Sequence, residues 1–270
     1  MICKLQAAIS QAALRPQREL ATMTPTERRT TFREMHRAGF FVVPNPWDLG
    51  GLRRLEAMGF RAVASTSAGL AWSLGQEDRS LSRDQVLDHL RTLCQATDLP
   101  VNADFESGFA VRPDEVAANV RLAADAGVAG LSIEDQDGDG LFDASLAIER
   151  IAAAREAIDG VDPQAVLVGR CEGFLIGSTD IGAIVDRLVA YAEAGADCLY
   201  APGVREPAHI DAIVRAVAPK PVNVLLMSDG PPPAELAALG VRRASTGSAL
   251  ARAAWDAFDL AAGELAAGDW

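Results

Sequence analysis

Hydrophobic positions along this chain fall into blocks of two kinds. One is Ala-rich with apolar residues at helical spacing; the other is a short run that is apolar throughout. The two alternate, and the joint is repeatedly a glycine: HRAGFFVV (36–43), EAMGFRAVAS (56–65), ADAGVAGLSIE (124–134), AEAGADCLYA (192–201) and AALGVRRAST (237–246). A glycine just past a helix takes up the positive φ that ends it. Three further apolar runs, 99–104, 165–170 and 221–225, lack that glycine. Together they predict eight strands, near 40–44, 61–65, 100–104, 130–134, 166–170, 197–201, 221–225 and 242–246. Helical patterns lie between them, over 48–58, 82–96, 113–126, 146–158, 179–194, 206–217, 233–239 and 248–262, and Thr24-Pro25 opens another over 25–37.

Strands apolar on both faces that alternate with helices belong to a parallel sheet covered on both sides. Eight such units in about 250 residues make a (β/α)₈ barrel of the TIM type. The alternative is an open doubly wound sheet, but no glycine-rich dinucleotide fingerprint follows the first strand. Residues 1–24 read as an N-terminal extension, a helical stretch and a linker, and 25–270 as a single catalytic barrel.

Composition narrows the function. The 270 residues are 49% hydrophobic, enough for a large core. No apolar run approaches the ~18 residues of a membrane span, and the first residues lack an apolar signal core, so a soluble cytoplasmic protein is expected. A net charge of −12 argues against a nucleic-acid partner. Cys3, Cys94, Cys171 and Cys198 show neither CxxC nor zinc spacing and are expected to stay reduced. The lysines are Lys4 and Lys220, neither at the predicted mouth, which removes Schiff-base chemistry. There is no nucleophile elbow. His36 and His89 lie on helical stretches as surface or packing residues, leaving His209 as the one histidine near the mouth.

Active sites of such barrels gather at the C-terminal strand ends. Those ends are Asn45, Ser65-Thr66-Ser67-Ala68-Gly69, Asp104-Phe105-Glu106, Glu134-Asp135, Arg170-Cys171-Glu172 and Ser245-Thr246-Gly247. With Asp78 on a nearby loop, neighbouring strands deliver several carboxylates to one mouth. Carboxylates packed together repel, and a divalent cation removes that cost. The donors are all oxygen, which favours Mg²⁺ or Mn²⁺ over zinc. Arg170 offers a rigid fork to an anionic substrate, and the small residues 65–69 leave backbone N–H groups for a carboxylate. The run EDQDGDGLFD (134–143) imitates a calcium loop, but its twelfth position from Asp135 is Leu146 and an apolar strand precedes it, so an EF-hand is rejected.

These segments carry a resemblance. NPWDLGGLRRL (45–55), STSAGLAWSLGQED (65–78), LPVNADFESGF (99–109), AGVAGLSIEDQ (126–136), VGRCEGF (168–174), AGADCLYAPG (194–203) and GVRRASTGSAL (240–250) resemble, in order, the isocitrate lyase/phosphoenolpyruvate mutase superfamily. The resemblance implies a (β/α)₈ barrel, often with an exchanged eighth helix, that forms dimers or tetramers. It implies Mg²⁺ and a small 2-oxo or 2-hydroxy carboxylic acid as substrate. It also implies Asp104 as direct metal ligand, Glu106 and Glu134 in the metal's shell, and Asp78 beside them. Arg170 and Glu172 then stand at the reacting centre, and Thr66, Ser67, Ala68 and Asn45 on the substrate.

The departure lies in the gating loop. Cleaving lyases of the superfamily carry Lys-x-Cys-Gly-His there; this chain carries Gln136 to Asp143, shorter and without Cys, Lys or His. The expected activity is therefore cleavage or decarboxylation of a small 2-oxo or 2-hydroxy diacid through a metal-stabilised enolate, with isocitrate and 2-methylisocitrate disfavoured. The proton donor stays open between Tyr200, Asp143, Glu172 and a metal-bound water. The alternatives are a phosphonopyruvate-type P–C hydrolase or mutase, whose dianionic phosphonate an acidic loop would repel, and a non-catalytic protein that binds oxalate or a 2-oxo acid.

Overall fold

The computed structural model describes residues 22–138 and 140–268. Ten strands follow in chain order among the described residues. They are β1 (Phe41–Val43), β2 (Val63–Ala64), β3 (Val101–Asp104), β4 (Gly130–Glu134), β5 (Gln136–Asp137), β6 (Gly140–Leu141), β7 (Val166–Arg170), β8 (Cys198–Tyr200), β9 (Val222–Leu225) and β10 (Arg243–Ser245). Eight of them form one parallel sheet in the order β1-β10-β9-β8-β7-β4-β3-β2. Its two end strands meet: Ala64 N donates to Pro44 O at 3.0 Å. The sheet thus curls into a nearly closed (β/α)₈ barrel, and each of the eight strands lies where the apolar runs placed it. The remaining pair, β5 and β6, is an antiparallel hairpin occupying the calcium-like run. A strand leads into that run, so the EF-hand geometry is absent there.

The helices are α1 (Pro25–Met35), α2 (Leu49–Ala57), α3 (Ser67–Ser73), α4 (Arg83–Ala96), α5 (Pro113–Asp125), α6 (Ala144–Asp159), α7 (Ile181–Glu193), α8 (Pro207–Val217), α9 (Pro233–Ala238) and α10 (Ala249–Ala267). Their starts are written in the sequence. Thr24 with Glu27, and Ser82 with Gln85, form capping boxes, and Asp48, Thr66 and Asp180 cap α2, α3 and α7. Each satisfies N–H groups that the first turn leaves open. Helix α3 has no counterpart in the hydrophobic pattern, because its seven residues are too few for a periodic signal. The helical stretch expected before residue 22 lies outside the described residues.

Helix α1 closes the N-terminal end of the barrel. Phe32 and Met35 pack into the barrel interior with Ala62, Ala64, Ala129, Val166, Val168 and Cys198. A Cβ on Gly130 would lie 3.1 Å from the Phe32 ring and 2.7 Å from Val166 O, so only glycine lets that ring enter. The arginines of α1 tie it down. Arg28 donates to Cys94 O and to Thr97 O (2.8 Å) at the end of α4. Arg29 donates to Ala124 O in the last turn of α5 and pairs with Asp162 at 3.0 Å. Both occupy helix C-termini, where carbonyls are unsatisfied and the dipole favours a cation. Cys94, Cys171 and Cys198 are free and buried. Among the described residues no helix is long and apolar enough to cross a membrane.

Candidate active site

Alternation along the strands decides what reaches the mouth. In register, Glu134 lies beside Arg170 and Arg170 beside Tyr200, on three adjacent strands. Asp104 ends β3 one strand further round. The barrel therefore brings Asp104, Glu134, Arg170 and Glu172 into contact, as expected from their strand ends.

Arg170 is the centre of the group. Its guanidinium pairs with Asp104 at 3.0 Å and Glu134 at 3.4 Å, and grips both carboxylate oxygens of Glu172, through Nε and, at 3.2 Å, through a terminal nitrogen. Burial alone would depress its pKa; Glu134, Glu172 and Asp104 outweigh that and hold it protonated. The Tyr200 ring lies beneath it, 5.5 Å from the guanidinium carbon, and burial pushes the Tyr200 phenol up to about 12.

The acids outnumber their partners. Asp78, Asp104, Glu106, Glu134 and Glu172 face two cations, Arg170 and Arg79, the latter 3.1 Å from Glu134. Glu106 bears the consequence. It is 8% exposed, and its Oε1 is buried without a hydrogen-bond partner. Burial, then Asp104, Glu134 and Asp78, push its carboxyl up to about 8. Burial likewise raises Glu134 to about 7 against the pull of Arg170. Asp78 is raised by burial and by Asp104.

An orphaned carboxylate oxygen amid unneutralised acids is the chemistry a hard dication satisfies, so the donor set fits Mg²⁺ or Mn²⁺. As the side chains stand, no three acids among the described residues converge to enclose an ion. Arg170 takes the space between Asp104 and Glu134 instead.

The other predicted residues have defined places. Thr66 caps α3, accepting from Gly69 N at 3.2 Å. Ser67 donates through N (3.0 Å) and Oγ (2.9 Å) to Asp104 Oδ2, and Ala68 is buried beside it. Asn45 works along the barrel seam. Its carboxamide oxygen accepts from Thr246 N (3.0 Å) and Gly247 N (2.9 Å), and its nitrogen donates to Ser65 O at 2.7 Å. It thereby joins the ends of β1 and β10 to the segment after β2. His209 stacks on Phe174 at 6.2 Å.

Sequence reasoning missed three supports. Arg150 of α6 donates to the carbonyls of Ser107, Ala110 and Val111, bracing the turn that carries Glu106. That turn is left-handed at Glu106 (φ 47) and Phe109 (φ 56), so it needs such bracing. The available signal was an arginine, Arg150, on the otherwise apolar face shared by Ala147, Ile151, Ala154 and Ile158. Asp135 accepts from the buried Tyr191 hydroxyl at 2.5 Å and from Glu172 N at 2.8 Å, fixing the end of β7. Arg79 was missed altogether.

Known proteins bear on this geometry. The phosphoenolpyruvate phosphomutase family matches residues 32–266. A solved structure from Burkholderia cenocepacia J2315, described as a lyase/mutase, superposes with a TM-score of 0.86 at 47% identity, over 89% of each chain. An uncharacterized protein of Mycobacterium tuberculosis H37Rv is 31% identical over 81% of this chain and 82% of its own. The oxaloacetate decarboxylase of Rhodopseudomonas palustris is 33% identical over 81% of this chain and 78% of its own. This chain belongs to the phosphoenolpyruvate phosphomutase family, within the isocitrate lyase/phosphoenolpyruvate mutase superfamily of lyases and mutases.

Proposed function

We propose that the protein is a Mg²⁺-dependent carbon–carbon lyase that cleaves or decarboxylates a small 2-oxo or 2-hydroxy diacid, with oxaloacetate-type acids first in line. The observation that carries this is Arg170, protonated and forked, beside an acid cluster whose Glu106 oxygen has no partner. Similarity to an oxaloacetate decarboxylase supports the choice of acid. Asp104 would hold the metal, with Glu106, Glu134 and Asp78 around it. What the dication supplies when bound is Lewis-acid stabilisation of an enolate.

The chain's own residues do the rest. Arg170, steadied by Glu172, presents paired N–H donors to the substrate where negative charge develops. Thr66, Ser67 and Ala68 form the wall that meets the substrate carboxylate. Decarboxylation breaks the bond from C3 to the departing CO₂ and leaves the electron pair in the enolate. It needs no base to begin, only a proton for C3 at the end. That demand suits a gating hairpin without Cys, Lys or His. The same hairpin disfavours a dianionic phosphonate.

The test is a panel of 2-oxo and 2-hydroxy diacids with Mg²⁺ or Mn²⁺, read by product and CO₂ release. Turnover of at least one, abolished by chelation, is expected. No turnover of any panel member refutes the lyase, and tight binding alone would identify a metabolite-binding barrel. We also propose that the chain forms a homo-oligomer, supported by the apolar face that α10 leaves uncovered.

A further inference from the structure

Arg79 sits on the segment between α3 and α4, and its backbone lies in the left-handed region (φ 65). A bulky residue is uncommon there, and such conformations cluster at ligand clamps. Its guanidinium reaches the mouth and meets Glu134 Oε1 at 3.1 Å, while Arg170 meets Oε2 at 3.4 Å. Two guanidiniums thus bracket one carboxylate. Their settings differ. The Arg170 side chain is 17% exposed and gripped by three acids, whereas that of Arg79 is 36% exposed and holds Glu134 from the rim. Among the described residues the sole lysine is Lys220, just before β9, so lysine contributes no cation at the mouth.

We propose that Arg79 selects dicarboxylate substrates by binding the carboxylate farther from the keto group. This rests on the lyase reading above and adds to it the residue that reads the second carboxylate of the diacid. A 2-oxo diacid anchored beside Arg170 by its keto-acid end extends toward the rim. Its far carboxylate then offers Arg79 the same partner that Glu134 offers now, in a setting where the guanidinium is free to swing. Arg favours a planar oxyanion over other small groups because its N–H donors match the carboxylate edge. A monocarboxylic 2-oxo acid leaves Arg79 on Glu134 and gains nothing from it.

The experiment compares wild type, Arg79→Gln and Arg79→Lys by calorimetry at saturating Mg²⁺. It uses two probes: oxalate, too short to span to Arg79, and 3,3-difluorooxaloacetate, which carries the second carboxylate at full length; product analysis after each titration checks that neither is consumed. Arg79→Gln is expected to weaken difluorooxaloacetate by about tenfold or more, the loss of one charge-assisted contact. Oxalate should stay unchanged, and Arg79→Lys should restore part of the loss. Equal weakening of both probes would overturn the proposal, because Arg79 would then act only through Glu134. So would unchanged affinity for both, or a wild type that ignores the diacid. Failure of the lyase reading looks different: wild type binds difluorooxaloacetate in an Arg79-dependent way yet turns over no acid.

Discussion

Glu106 holds its proton well above the usual carboxylate range, because it is buried among Asp104, Glu134 and Asp78 and its Oε1 has no hydrogen-bond partner. Its carboxyl titrates near 8 in the fold against 4.5 without it, and Glu134 near 7. Between those values the folded protein keeps protons that the unfolded chain has released. The contribution of these two groups to stability is therefore full below about pH 4.5, falls as pH rises from there, and is gone above about 8. In chelator, the melting temperature should fall over that window, and Glu106→Gln should flatten the slope; parallel curves for the two proteins would sink this account. A second substitution tests chemistry. Arg170→Lys keeps the charge but loses the fork, and turnover should fall by about 10²–10³-fold with the circular dichroism unchanged. Arg170 was legible in the sequence because a parallel strand's last inward side chain must face the mouth, and Glu106 because it follows the end of β3 by two residues. Arg79 and Arg150 were not. One hangs on an irregular segment and the other on a helix flank, and only the assembled fold shows what they reach.

Individual elements divide the same way. Short runs apolar throughout, five of them after a glycine stop, located all eight barrel strands, since burial on both faces leaves few alternatives. The seven-residue α3 and the two-residue arms of the β5–β6 hairpin were invisible, their placement being set by tertiary contacts rather than local period. Helix α1 was legible as a helix but not as a plug. Phe32 is fully buried beneath the barrel, so Phe32→Ala should cost about 3–5 kcal/mol in denaturant unfolding. A loss below about 1 kcal/mol would mean that the ring does not fill the barrel end. Helix α10 behaves differently. Of its nineteen residues Ala251 is the buried one among those described, while Trp255, Phe258, Leu260 and Leu265 are exposed. This apolar surface is where the proposed homo-oligomer would bury α10. Phe258→Asp with Leu260→Asp should shift the protein to monomer in sedimentation velocity without unfolding it; an unchanged sedimentation coefficient would remove α10 from the interface.

At the scale of the whole molecule, a net charge of −12 and an acid-rich mouth respond differently to added cations. Diffuse surface charge is screened by any salt. The mouth responds to a cation that enters it, because Glu106, Glu134 and Asp78 are raised chiefly by burial, which bulk salt does not undo. Mg²⁺ should therefore stabilise the fold beyond NaCl of equal ionic strength. A ligand that binds only the folded state at about a hundred times its dissociation constant adds ~2.7 kcal/mol. For a chain of this size that is about 5–10 °C in the melting temperature. The increment should be larger at pH 8 than at pH 6, since the protons that Glu106 and Glu134 hold at the lower pH must leave before the cation is accepted. Asp104→Asn should abolish the Mg²⁺ increment while keeping the response to NaCl. If NaCl matched Mg²⁺ degree for degree in wild type, the acids at the mouth would be ordinary surface charge and the site would hold no metal.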